Sequence, residues 1–158
     1  MKKQKGFSLI ELLIVVAIIL IIAAIAIPNL LRSRMAANES SAVGSLRTIN
    51  TAEVTYATSY PTEGFAANLA SLGGAAPCGP SVIANACLID EVLSVTAKKS
   101  GYSFLAPGVA PIPRVQYSAT GTPIAVGTSG QRSFFTDQSG VIRYDASGAA
   151  ATASSPAL

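Results

Sequence analysis

Sixteen consecutive apolar residues, Leu12 to Ile27, constrain this chain of 158 residues more than any other feature of its sequence. The apolar segment, defined here as Phe7 to Ile27, extends the run toward the N-terminus and is interrupted only by Ser8 and Glu11. At about 1.5 Å per residue, a helix of this length spans the roughly 30 Å hydrocarbon core of a bilayer. Three lysines near the N-terminus favour its cytoplasmic placement. The sequence therefore predicts one membrane span, with the remainder of the chain outside the cytoplasm.

Charge and composition argue against nucleic-acid binding and against catalysis. The 11 Lys and Arg exceed the 8 Asp and Glu, which gives a net charge of +3. The three N-terminal lysines account for that excess, so the balance does not indicate a nucleic-acid surface. The sequence has no histidine, which excludes histidine-ligated zinc, Ser–His–Asp triads and Cys–His pairs. We expect no catalytic residues, no cofactor, no metal site and no nucleic-acid partner.

Glu11 is the only carboxylate in the apolar segment. A charge inside an apolar helix costs a few kcal/mol, so such a residue is predicted to be functional and to have a partner. No cation follows until Arg32. Cleavage between Gly6 and Phe7 would create an α-amino group four residues from Glu11 and on the same helix face. That amine can pair with Glu11 of its own subunit or with Glu11 of a neighbour in an assembly.

The stretch from Lys5 to Ile18, KGFSLIELLIVVAI, resembles the class III leader junction of type IV pilins and type II secretion pseudopilins. The resemblance implies that a prepilin peptidase cuts after Gly6 and methylates the exposed amine of Phe7. It also implies that Glu11 serves subunit recruitment and registration in a filament. The family's fold is α+β, with a long N-terminal helix packed on a small antiparallel sheet.

Pro28 resembles the helix-kinking proline of that family, which implies a part in assembly. A proline inside a helix removes one hydrogen bond and clashes with the preceding turn, so we expect a bend or local loosening near residues 24–28. The helix is predicted to continue to about Ser59, where Tyr60-Pro61 stops it. The stripe that supports this continuation is apolar at helical spacing and comprises Leu31, Met35, Ala42, Leu46, Ile49 and Tyr56.

Residues 60–100 are interpreted as a connector with two short helical pieces, near residues 68–72 and 88–97. Cys78 and Cys87 lie between these pieces. Two cysteines in a domain outside the cytoplasm most often form a disulfide, so we predict that Cys78 pairs with Cys87. Two soft ligands without a histidine do not complete a metal site.

The C-terminal part reads as about four strands of one antiparallel sheet. The predicted strands are residues 101–105, 114–119, 132–137 and 141–145. We expect a turn at Thr120-Gly121 and a hairpin loop at Gln138-Ser139-Gly140. The sheet must bury one face, and the apolar stripe of the long helix is its expected cover. Residues 146–158, rich in Ala, Ser and Thr, are expected to form a flexible tail.

The predicted organisation has five parts. They are a leader (1–6), a transmembrane and filament-core helix (7–28), the amphipathic half of that helix (29–59), a globular head (60–145) and the tail (146–158). The function implied by the resemblance is that of a structural subunit of a type IV pilus-class filament. Its partners would be further copies in a homo- or hetero-filament, the prepilin peptidase, the inner-membrane assembly machinery of a pilus or a type II secretion system, and membrane lipid.

Two alternatives stay open from the sequence alone. Within the class, a type II secretion pseudopilin would drive protein export rather than form a surface pilus. Outside it, the chain would be a secreted protein cut after Ala26 or a membrane-anchored binding domain, but neither accounts for Glu11. The expected location is the inner membrane, single-pass with a cytoplasmic N-terminus, and after assembly a periplasmic or cell-surface filament.

Overall fold

The computed structural model describes residues 7–74 and 77–158, which fall into two compact units divided between Arg34 and Met35. We call residues up to 34 the first unit and residues 35–158 the second unit. The predicted leader, with Gly6 and the three lysines, lies outside the described residues.

Helix α1 spans Leu9–Ser59 and includes Pro28 within its length. It ends at Ser59 as predicted, because the backbone before Pro61 is disfavoured in the α conformation. From Leu12 to Ile27 the helix is apolar on every side, whereas in the second unit it has one buried face. That face carries the largest part of the predicted stripe, together with Val43 and Ala52. Leu31 of the predicted stripe lies in the first unit and is about half exposed.

The second unit is an α+β fold in which α1 packs on an antiparallel sheet, and this confirms the predicted fold class. Its strands are β1 Lys98–Lys99, β2 Tyr102–Leu105, β3 Gly108–Val109, β4 Gln116–Pro123, β5 Ser133–Asp137 and β6 Arg143–Asp145. The order across the sheet is β1-β2-β4-β5-β6, and β3 pairs with β4. Four strands were predicted, and the two additional ones, β1 and β3, have two residues each, too short for an alternating pattern to reveal them.

The predicted turn at Thr120-Gly121 is wrong, because both residues lie inside β4. Gly121 pairs with Phe104 of β2 on one side and with Phe134 of β5 on the other. A Cβ atom at this position would lie 3.1 Å from the Phe104 ring and 3.8 Å from Leu46 of α1. The glycine therefore makes room for a core aromatic ring, which is a packing role rather than a turn.

The expected flexible tail is packed instead. Residues 146–158 run back along β6, the edge of the sheet, where the Tyr144 amide donates to the Pro156 carbonyl at 3.0 Å and the Leu158 amide donates to the Ile142 carbonyl at 2.9 Å. Ala151 is buried, and its amide donates to the hydroxyl of Ser133 at 3.0 Å. Backbone hydrogen bonds to the open edge of the sheet hold this segment in place, although its small side chains bury little apolar surface.

Two short helical pieces connect α1 to the sheet. Helix α2 spans Leu69–Leu72, and the side-chain oxygen of Asn68 caps it by accepting from the Ser71 amide at 3.0 Å. The second piece, predicted over 88–97, is a single π-helical turn, Val92–Thr96.

Candidate functional site

The apolar segment presents its side chains without cover in the described part of the chain. Its large apolar side chains are 44–84% exposed, and the same exposure continues through Leu31. Helix α1, which contains all of the segment except Phe7 and Ser8, is long and apolar enough to cross a membrane. An apolar surface of this extent is unstable in water, so it requires lipid or other apolar helices around it.

Glu11 lies at the N-terminal end of α1, where its carboxylate serves as a cap. The Ser8 amide donates to Glu11 Oε2 at 2.9 Å, and the Ser8 carbonyl accepts from the Leu12 amide at 3.2 Å. This is one half of a capping box, and the positive end of the helix dipole favours the carboxylate there. The capping role of Ser8 was not predicted, although the Ser-x-x-Glu spacing signals it.

The cap fixes where the carboxylate of Glu11 is. The carboxylate accepts a hydrogen bond from the amide of Ser8, the residue after Phe7. An amine at Phe7 would therefore lie one residue before the amide that Glu11 binds. Phe7 itself precedes the first helical residue and is 84% exposed. The structure therefore bonds the Glu11 carboxylate to the residue that follows Phe7, whereas Gly6 lies outside the described residues.

Pro28 contributes to a shallow apolar groove on the surface of the first unit. The other residues that line it are Leu20, Ala23, Ala24 and Ile27. Proline has no amide hydrogen, so the carbonyl one turn earlier, at Ala24, lacks its usual donor from residue 28. Small alanine side chains beside it allow the backbone of another helix to approach closely.

In the second unit, Glu39 of α1 is bound to the two residues directly before β5. Its Oε1 accepts from the amides of Gln131 and Arg132 at 2.9 and 3.1 Å, and its Oε2 accepts from Arg132 Nε at 2.8 Å. Burial raises the pKa of Glu39, but the two amides and the Arg132 guanidinium outweigh this effect and hold the pKa below its ordinary value. Glu39 is therefore ionised at neutral pH and joins the helix to the sheet.

The predicted disulfide between Cys78 and Cys87 is confirmed, with the two Cα atoms 6.0 Å apart. The Cys87 amide donates to the Gly73 carbonyl at 3.1 Å, and the hydroxyl of Tyr56 donates to the Ile83 carbonyl at 2.7 Å. These bonds fasten the disulfide loop to α1 and to the end of α2. Among the residues that the structure describes, no group of three or more His, Cys, Asp or Glu side chains is arranged to hold a metal ion.

Comparison with known proteins places the similarity in the N-terminal part of the chain. Residues 1–27 match the family model of the prokaryotic N-terminal methylation motif. The type IV wide pilus major component PilA4 of Thermus thermophilus is 62% identical over 40 residues, which are 25% of this chain and 30% of that protein. The type IV major pilin protein PilA of Myxococcus xanthus is 46% identical over 54 residues, or 34% of this chain and 24% of that protein.

The matches confirm the predicted resemblance to type IV pilins. This chain spans less than a third of either curated relative that it matches. No solved structure matches it.

Proposed function

We propose that this chain is a structural subunit of a type IV pilus-class filament that assembles through its N-terminal helix. The observation that carries the proposal is an uncovered apolar segment with one carboxylate, Glu11, at its N-terminal end, within a matched methylation motif. A helix of this kind requires lipid before assembly and similar helices afterwards. A secreted binding domain does not require such an exposed apolar helix.

Maturation begins with cleavage between Gly6 and Phe7 by a prepilin peptidase and N-methylation of the new amine. The cap between Glu11 and Ser8 supports this step, because it leaves Phe7 ahead of the helix and near the carboxylate. The amine and Glu11 then form a charge pair, either within one subunit or between neighbours. This pairing reduces the penalty of placing each charge in an apolar environment.

Assembly moves the apolar segment from lipid into a core of identical helices. The exchange costs little hydrophobic free energy, since both environments are apolar. Register is set by Glu11, because a misplaced neighbour leaves a buried charge unpaired, at a cost of about 3–5 kcal/mol. The groove beside Pro28, with its small side chains, is a place where a neighbouring helix can approach.

The proposal places the subunit in the inner membrane as a single span with a cytoplasmic N-terminus, and later in a periplasmic or cell-surface filament. Its partners are further copies of the chain, the prepilin peptidase, the inner-membrane assembly machinery and membrane lipid. The names of both relatives, a wide-pilus component and a major pilin, support a pilus rather than a type II secretion pseudopilus.

The test replaces Glu11 with Val in cells that express the full chain. We expect Glu11→Val to insert and to be processed normally, but to reduce the filament recovered by shearing at least tenfold. Leu12→Val, a neighbouring change without loss of charge, is the matched control and should assemble. Wild-type filament yield from Glu11→Val would contradict the proposed role of the charge pair.

The N-terminus of the mature protein tests the maturation step directly. Intact mass and N-terminal sequencing should show N-methylated Phe7, and Gly6→Leu should abolish processing. A mature protein that begins at Ile27 would instead show an ordinary signal peptide and would refute the filament mechanism.

A further inference from the structure

A second buried carboxylate of α1, Glu53, has an environment unlike that of Glu39. The whole residue is inaccessible to solvent. Its Oε2 accepts from the Ala66 amide at 2.8 Å, while its Oε1 has no hydrogen-bond partner among the described residues. One hydrogen bond is little compensation for a buried carboxylate, because an ionised group loses its hydration on burial.

The polar groups around Glu53 are committed to other partners. The guanidinium of Arg114, from the segment before β4, contacts Glu63 at 3.3 Å. On β4, the hydroxyl of Tyr117 donates to the side-chain oxygen of Asn50 at 2.9 Å. The hydroxyl of Tyr56, one turn along α1, donates to the Ile83 carbonyl. Each of these side chains therefore has a partner other than Glu53, whose carboxylate is left with the Ala66 amide.

Electrostatics follow from this geometry. Burial raises the pKa of Glu53, and the Ala66 amide and the charge of Arg114 offset this rise only in part. The resulting pKa is about 7. In turn, burial and the neighbouring charge of Glu53 raise the pKa of Tyr117 to about 12. Of the groups that face Glu53, the tyrosines are therefore neutral near pH 7 and Arg114 is the cation.

The hydrogen bond to Ala66 fastens residues 60–67, the segment that follows α1. The same segment is bound to the chain before β4, since the Phe65 amide donates to the Arg114 carbonyl at 2.9 Å and the Arg114 amide donates to the Glu63 carbonyl at 2.8 Å. Further along, the Gly108 amide donates to the Ala67 carbonyl at 3.1 Å. Gly108 also packs so closely that a Cβ atom there would lie 2.2 Å from the Ala66 carbonyl oxygen.

We propose that Glu53 is a proton-operated latch that holds residues 60–67, and with them the segment before β4, against helix α1. With the proton bound, the neutral carboxyl group stays buried and the latch is closed. Loss of the proton favours an open state in which water solvates the carboxylate and the Ala66 amide. The inference does not depend on the proposed function, because it concerns the second unit alone.

The direction of the pH effect follows from proton linkage. The closed state keeps its proton up to about pH 7, whereas the open state releases it near the ordinary value of 4.5. The equilibrium constant that favours the closed state is therefore largest below pH 4.5. It falls by up to tenfold per pH unit as the pH rises toward 7 and changes little above 7. Measurements between pH 5 and pH 8 cover about two pH units of this range, so we expect the closed state to weaken by a factor between tenfold and one hundredfold.

Hydrogen exchange of the Ala66 amide in the full chain, held in detergent micelles, is the test. After correction for intrinsic exchange rates, the protection factor of this amide should fall at least tenfold between pH 5 and pH 8. Glu53→Gln, which keeps the shape and removes the ionisation, should make the protection independent of pH. Glu91→Gln, which changes an exposed carboxylate, is the matched control and should behave as the wild type.

A carboxyl-carbon NMR titration of the wild-type protein supplies a second readout that needs no folded variant. A midpoint for Glu53 above pH 6 is expected. A midpoint near the ordinary value, a constant protection factor in the wild type, or an unchanged pH dependence in Glu53→Gln would each overturn the proposal.

Discussion

Replacement of Glu39 is the most informative perturbation of the second unit. Glu39→Ala removes the acceptor of two backbone amides and of Arg132 Nε in one step. A hydrogen bond to a charged group contributes about 1.5–3 kcal/mol. The Arg132 side chain is 39% exposed, so its ion pair adds about 1 kcal/mol or less. Since water can enter the groove beside Glu39, we expect a total loss of about 3 kcal/mol in the free energy of unfolding.

The assay is thermal unfolding of the full chain in detergent, followed by near-ultraviolet circular dichroism. All five tyrosines lie in the second unit and the chain has no tryptophan, so this signal reports mainly on that unit. At roughly 3–5 °C per kcal/mol for a unit of this size, Glu39→Ala should lower Tm by about 10 °C at pH 7. The control Glu91→Ala, which changes an exposed carboxylate, should leave Tm within about 2 °C.

The pH dependence of the stability difference between wild type and Glu39→Ala is a second test of this prediction. Because the folded state lowers the pKa of Glu39, its stabilisation is present above the ordinary value of 4.5 and is lost as the pH falls through the lower folded value. The difference between wild type and Glu39→Ala should therefore shrink when both are measured near pH 3. A loss below 1 kcal/mol at pH 7, or a difference of equal size at both pH values, would refute the reasoning.

Two further predictions concern packing and the disulfide. Gly121→Val should lower the free energy of unfolding by about 1–3 kcal/mol, because its added atoms meet the Phe104 ring and Leu46. The control Gly44→Ala, in open space on α1, should be neutral or stabilising by up to about 1 kcal/mol. Equal melting temperatures for the two variants would contradict this packing role of Gly121. Changing both Cys78 and Cys87 to Ser should lower the free energy of unfolding, measured by denaturant titration, by about 2–3 kcal/mol. A reductant should have no further effect on this variant. A stability equal to that of the oxidised wild type would show that the disulfide is not stabilising.

The features predicted successfully from sequence depend on local rules. The end of α1 follows from Tyr60-Pro61. The disulfide follows from the number of cysteines and the expected compartment. Each of these inferences needs only residues that are close in sequence or rare in composition.

The features that sequence did not predict depend on contacts between distant residues. Gly121 reads as a turn residue until Phe104 is known to lie opposite it in the neighbouring strand. Residues 146–158 read as a tail because their small side chains give no sign that β6 has an open edge. The assembly roles of Gly6, Phe7, Glu11 and Pro28 remain predictions, since they concern a peptidase and neighbouring subunits.

Glu39 and Glu53 show why residue type and helix position do not determine what a carboxylate does. They lie about four turns apart on α1, and both are buried. Glu39 meets three donors and its pKa falls, whereas Glu53 meets one donor and its pKa rises. The difference arises from chain segments far away in sequence, residues 131–132 for one and residue 66 for the other. A buried acid in this unit is thus a permanent anchor where donors converge on it and a proton-binding group where they do not.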